Sequence, residues 1–195
     1  LSDLLNQLKA VYKTESRITY MHTTENDEDV CDSFINLAIL TQKAVKEAEK
    51  PSKEKQIDNR DLYYNSFEAL YQAKESISIK EIFSALKEEP AKKHILIEGR
   101  AGIGKTTFCK YIANAWIDPS KRKALLGWGE QFEVVIWIKL RELIQHLPMD
   151  SLYEAIAKLY GFKSSQALTD LLTPLESQEK VLYLIDGYDE IADQL

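Results

Sequence analysis

Residues 99–106 read Gly-Arg-Ala-Gly-Ile-Gly-Lys-Thr, a G-x-x-x-x-G-K-[ST] spacing whose parts suit the binding of a polyphosphate. Gly99, Gly102 and Gly104 admit backbone conformations that a Cβ would block. The amides of the loop, from Gly99 through Arg100, Ala101, Gly102, Ile103 and Gly104, together with the helix start at Lys105, Thr106 and Thr107, then direct partial positive charge at the phosphates. Lys105 is placed to reach the β- and γ-phosphates, and the Thr106 hydroxyl to ligate Mg²⁺.

A second group of chemically able residues follows 81 residues after Lys105 (186 − 105), where Val181-Leu182-Tyr183-Leu184-Ile185 runs into Asp186-Gly187-Tyr188-Asp189-Glu190. An apolar strand that ends in a carboxylate is the Walker B arrangement. It delivers Asp186 to the Mg²⁺ shell beside the glycine loop. Glu190 is a candidate general base for an attacking water, with Asp189 as a metal-side or water-positioning partner. Both acids are also compatible with capping a following helix, whose dipole favours negative charge at its start.

These residues need a scaffold, and the chain around them supplies its pattern. Residues 94–98 form a short branched apolar run that predicts a buried parallel strand before the loop. A helix from Thr106 to Trp116 carries Phe108, Ile112 and Trp116 on one face. Residues 132–138 and 181–185 predict two further strands, with helical stretches near 151–160 and 165–175 between them. Strands alternating with helices imply an α/β fold, a parallel sheet with right-handed crossovers.

The N-terminal part is different in kind. Ser2 can cap a helix striped by Leu4, Leu5, Leu8, Val11 and Tyr12. Residues 14–30 read as a loop or solvated face, Phe34 to Leu40 as either a strand or a buried helix, and 41–60 as a mobile Lys/Glu-rich connector. A short amphipathic helix is expected from Ser78 to Leu86. The resulting division is a mainly helical and linker region over 1–76 and a nucleotide-binding core over 77–195.

Composition narrows the function classes. A net charge of −6 leaves no broad basic excess for nucleic-acid phosphates. The Lys-rich stretch 43–55 is interleaved with Glu47, Glu49 and Glu54, so a solvated segment explains it better than a membrane or RNA patch. Cys31 and Cys109 are far apart and lack metal-ligand spacing, and His22, His94 and His146 are isolated. Free thiols in a reducing compartment and no zinc site follow. Trp116, Trp128 and Trp137 sit in or beside apolar patterns and are expected in the core. Arg100 reads as a solvated residue, and Arg141 as either a γ-phosphate sensor or a salt-bridging residue at a strand end. The chain starts with Leu1 and ends five residues after Glu190, which reads as a piece of something longer.

The run from Ile95 to Thr107 and the run from Leu184 to Glu190 together resemble the NACHT domain of the STAND P-loop NTPases, the NOD-like receptor type. Val135-Ile136-Trp137-Ile138-Lys139-Leu140-Arg141 is similar to the family's second core strand, and Ile79 to Phe83 to the element preceding its first. The resemblance implies binding of ATP or ADP with Mg²⁺ and a nucleotide-dependent switch for assembly, with ATP hydrolysis in the full-length protein. It further implies a cytoplasmic, innate-immunity-like signalling role and homo-oligomers formed through the full-length protein. Phe34 to Leu40 would contribute to the adenine site, and the chain would stop after Walker B, short of the domains that close over the nucleotide. A P-loop kinase and a scaffold that binds nucleotide without turnover are the alternatives. A kinase lid of basic residues and the Asn-Lys-x-Asp guanine motif are both missing from the sequence.

Overall fold

The computed structural model describes residues 2–15, 17–18, 28–29, 39–40, 76–83, 94–146, 148 and 151–191. They divide between two compact units, one comprising Leu1–Ile35 with Lys93–Leu195 and the other Asn36–Lys92. In the second unit β3 (Ile39–Leu40) pairs antiparallel with β4 (Ser76–Ile77). A 3₁₀ turn over Ile79–Glu81 follows, its Ser78 hydroxyl accepting from the Lys80 amide at 3.3 Å. The expected helix from Ser78 is therefore a single tight turn within the described residues, with Ile79 and Ile82 buried. Residues 34–38, 41–60 and 84–86, on which other expectations rested, lie outside them.

The first unit contains the phosphate loop. Helix α1 (Ser2–Glu15) is followed by β1 (Arg17–Ile18) and β2 (Glu28–Asp29), a two-residue antiparallel pair inside what the sequence marks as loop. Helix α2 (Lys105–Ile117) leads into α3 (Pro119–Leu125), started by Asp118, whose carboxylate accepts from the Ser120 and Lys121 amides. Strand β5 (Val134–Lys139), the single turn α4 (Leu140–Leu143), α5 (Leu152–Tyr160), α6 (Ser165–Ser177), β6 (Val181–Asp186) and the turn α7 (Tyr188–Ile191) complete the order. β5 and β6 pair in parallel from Val134↔Val181 to Lys139↔Asp186. A parallel ladder needs a long crossover, and α4, α5 and α6 supply it.

Both crossover helices carry start and stop signals. Ser151 and Ser164 accept from the amides three residues on. Each helix ends in a pair of hydrogen bonds around a left-handed residue: Gly161 at φ 66 with Phe162 N–H to Ala157 O, and Glu179 at φ 58 with Lys180 N–H to Leu175 O. Glu176 then ties three elements together, accepting from the hydroxyls of Tyr153 on α5 and Tyr183 on β6.

The core gathers on β5. Val134 to Ile138 are all buried, α2 packs against β5 and β6, and its Phe108, Ile112 and Trp116 are buried. Trp116, Trp128 and Trp137 are core residues as expected. The outer edge of β5 is closed by two tyrosines. The Tyr12 hydroxyl on α1 accepts from the Trp137 amide and donates to the Val135 carbonyl, both at 2.9 Å. The Tyr160 hydroxyl donates to the Trp137 carbonyl and stands 3.2 Å from that of Tyr12. Burial pushes both phenols well above the ordinary tyrosine range, so both stay protonated. An edge strand exposes a row of unpaired backbone groups, and here side-chain hydroxyls satisfy it.

One strand expected from the sequence does not form. Residues 94–98 belong to no ladder, and Ile95, Leu96 and Ile97 are exposed. A strand exists only where a second backbone supplies its hydrogen bonds, and among the described residues none pairs with this run. Among the described residues β6 correspondingly pairs on one edge only, and Ile185 is exposed.

Candidate functional site

The loop between residue 98 and α2 has the backbone its glycines predict. Gly102 and Gly104 take φ of 76° and 103°, a region that L side chains rarely adopt. A Cβ on Gly99 would lie 2.9 Å from Ile103 Cγ2, so the Ile103 side chain would have to shift to admit one. The Ile103 amide donates to the Arg100 carbonyl at 3.3 Å, and Arg100, Ala101 and Ile103 face solvent. Gly104 caps α2 with no side-chain hydrogen bond, and the first turn of the helix holds no acid. The N–H groups of Lys105, Thr106 and Thr107 thus begin the helix without a capping carboxylate or hydroxyl, an arrangement open to an anion.

Lys105 folds back over the loop. Its ammonium donates to the Gly99 carbonyl at 2.7 Å and the Arg100 carbonyl at 3.4 Å, and stands 3.1 Å from Asp189 Oδ2. That ammonium holds the Asp189 carboxyl below the usual carboxylate range. The pair contributes most where Asp189 is ionised. Its contribution fades as pH falls through the lowered value, because the unfolded chain takes up the proton first.

The two halves of the site meet at Thr106 and Asp186. The Thr106 hydroxyl donates to Asp186 Oδ1 at 3.1 Å, joining residues 80 apart in sequence. Asp186 is the last residue of β6 and, at 9% exposed, one of the few buried acids or amides. Gly187 at φ 82 then turns the chain, and a Cβ there would meet the Glu190 carboxyl at 3.7 Å. Asp189 and Glu190 fall in the first turn of α7, the position in which acids favour a helix dipole. Glu190 Oε2 lies 3.8 Å from Arg141 Nη1, both largely solvent-exposed. Of the two readings of Arg141, the salt-bridging one describes this geometry.

Thr106 and Asp186 are hard oxygen donors side by side at the foot of a phosphate loop. One carboxylate and one hydroxyl, completed by substrate phosphate and water, is the donor set Mg²⁺ favours. The residues present therefore fit that ion. No group of three or more His, Cys, Asp or Glu residues that could hold a metal ion assembles among the described residues. Cys109 is in no disulfide, and burial pushes its thiol up to about 12. Cys31 lies outside the described residues. No helix among the described residues is long and apolar enough to cross a membrane.

Sequence reading located the loop and the acids but not what surrounds Asp186. Lys139, registered against Asp186, turns away from it to Glu15 on α1 at 2.6 Å and to Glu142 at 3.3 Å. Of Tyr12 and Tyr160, which hold the β5 edge, Tyr12 was visible only as a member of an apolar stripe and Tyr160 only as the end of a helical stretch. No local signal marks a hydroxyl as the cap of a strand 123 residues away.

Comparison with known proteins places the chain in a family. The family model described as NACHT domain matches residues 93–195, more than half of the chain. The mouse NLR family CARD domain-containing protein 4 is 36% identical over 106 residues, 54% of this chain and 10% of its own length. The rat NACHT, LRR and PYD domains-containing protein 1a allele 1 is 33% identical over 117 residues, covering 60% of this chain and 9% of the relative. The mouse NACHT, LRR and PYD domains-containing protein 1b allele 4 is 28% identical over 200 residues, 97% of this chain and 19% of the relative. The chain thus spans a fifth or less of the length of these relatives. No solved structure matches.

Proposed function

We propose, from the premise that this chain belongs to the NACHT family, that it is the nucleotide-binding module of a signalling NTPase. On this reading it binds ATP or ADP with Mg²⁺ and switches assembly of the full-length protein, in the cytoplasm, by which nucleotide it holds. The observation that carries the reading is the 3.1 Å contact between Thr106 and Asp186 beneath the glycine loop. Residues this far apart in sequence converge where a phosphate-bound cation would need them.

The roles follow from position. Residues 99–104 and the amides of Lys105, Thr106 and Thr107 cradle the phosphates, and Lys105 exchanges its carbonyl and Asp189 partners for phosphate oxygens. Thr106 and Asp186 would hold Mg²⁺, which would supply positive charge against the phosphates. Glu190 accepts the proton of the attacking water, and Asp189, once released from Lys105, helps orient that water. The N-terminal region over 1–76 and the core over 77–195 remain the proposed functional division, although α1 packs with the core.

One observation favours a second reading, a scaffold that binds nucleotide without turnover. Both acids proposed for hydrolysis are engaged by cations, Asp189 by Lys105 and Glu190 by Arg141. Titration calorimetry with ADP and ATP separates these possibilities from no binding at all. Lys105→Ala is expected to abolish binding, and unchanged affinity would refute the nucleotide reading. Glu190→Gln in the full-length protein is expected to bind normally and to release phosphate about a hundredfold more slowly. Equal phosphate release from mutant and parent would remove Glu190 as the base.

A further inference from the structure

Lys139 and Asp186 end their strands in register. Directly registered residues of a parallel pair project from the same face, with Cα atoms about 4.8 Å apart. A lysine stem spans that distance easily. The register therefore sets a cation beside the carboxylate that, on the reading above, must receive Mg²⁺. An ammonium on Asp186 would oppose the ion directly, since this site offers a single carboxylate.

The ammonium is drawn elsewhere. Lys139 lies back across the Trp137 ring, 4.8 Å from its centroid, and its Nζ is 2.6 Å from Glu15 Oε1. Glu142 lies farther, at 3.3 Å, and is about half exposed, whereas Glu15 is the more buried partner. Exposed pairs within one helical turn hold little, so Glu15 is the stronger anchor. Its place is fixed by Tyr12, one turn earlier on α1, whose hydroxyl binds the backbone of β5 at Val135 and Trp137.

We propose that Glu15 is a positioning residue for the cation site: from α1, outside residues 93–195, it holds the Lys139 ammonium off Asp186. This rests on the nucleotide reading and adds a part to it. The N-terminal helix sets how well the site takes Mg²⁺, without touching phosphate.

The test is titration calorimetry of ADP against the 195-residue chain, once with excess Mg²⁺ and once with EDTA. The ratio of the two affinities is the Mg²⁺ enhancement. Glu15→Gln is expected to lower that enhancement about three- to tenfold while leaving the EDTA affinity unchanged. Adding Lys139→Met to Glu15→Gln is expected to restore it, because the competing ammonium is gone. Lys139→Met alone is expected to keep at least the parental enhancement, and this single variant stands even where Glu15→Gln folds poorly. An unchanged enhancement in Glu15→Gln, an equal loss in both buffers, no restoration in the double variant, or a drop in Lys139→Met would each overturn the inference and leave the nucleotide reading standing. A parent chain with no ADP affinity in either buffer would overturn both.

Discussion

β6 and residues 94–98 are similar stretches of chain in different surroundings. Each is a short, branched apolar run that leads into a functional loop, the first into Asp186 and Gly187, the second into Gly99 and Lys105. β6 is locked in register against β5, whose far edge is closed in turn by Tyr12 and Tyr160. Residues 94–98 have no backbone partner among the described residues, and Leu96 is 79% exposed. What separates them is not hydrophobicity but whether a second strand is there to bind. The phosphate loop keeps its shape regardless, because its glycines and the start of α2 are local.

The largest test of this contrast compares two aliphatic truncations. Ile136→Ala, at a fully enclosed site on β5, is expected to cost about 2–5 kcal/mol in urea unfolding. Leu96→Ala is expected to change stability by less than about 0.5 kcal/mol. Similar losses from both would mean that residues 94–98 are packed in solution and that the contrast is unreal.

A smaller effect is expected at the edge of β5. Tyr12→Phe keeps the ring against Trp116, 6.3 Å between centroids, but leaves the Trp137 amide and Val135 carbonyl without their hydroxyl. The expected cost is about 1–3 kcal/mol. It would appear together with faster hydrogen exchange at the Trp137 amide, and exchange at the parental rate would argue that the hydroxyl does not close the edge.

The smallest effect lies in the turn that feeds β6. Gly161 and Glu179 occupy the same left-handed position after α5 and α6, with the same pair of hydrogen bonds, but only one of them is glycine. Glu179→Gly is expected to raise stability by about 0.5–1 kcal/mol, since the left-handed strain of a side-chain-bearing residue disappears. A destabilised variant would show that the Glu179 side chain contributes more than its backbone costs.

Much of this was legible in the residues themselves. The helix after the loop, the crossover helices, β5, β6 and the three buried tryptophans all follow from apolar periodicity. So does the approach of Thr106 to Asp186, because the loop and the Walker B strand each have a fixed geometry relative to a parallel sheet. The pairing of Arg141 with Glu190 and of Lys105 with Asp189 was not legible. Many acids and bases lie within reach on an α/β scaffold, and selecting among them takes coordinates.

The sequence alone determined the parts whose physics is local: the φ-permissive glycines at 102, 104, 161 and 187, the uncapped start of α2, and the acid at the end of an apolar run. Tertiary structure decided the parts that depend on a distant backbone or charge. It left 94–98 out of the sheet, put Tyr12 on the edge of β5, and turned Lys139 toward Glu15 rather than Asp186. Local propensity is set within a few residues, whereas a ladder, an edge cap or an ion pair exists only when a second segment arrives to complete it.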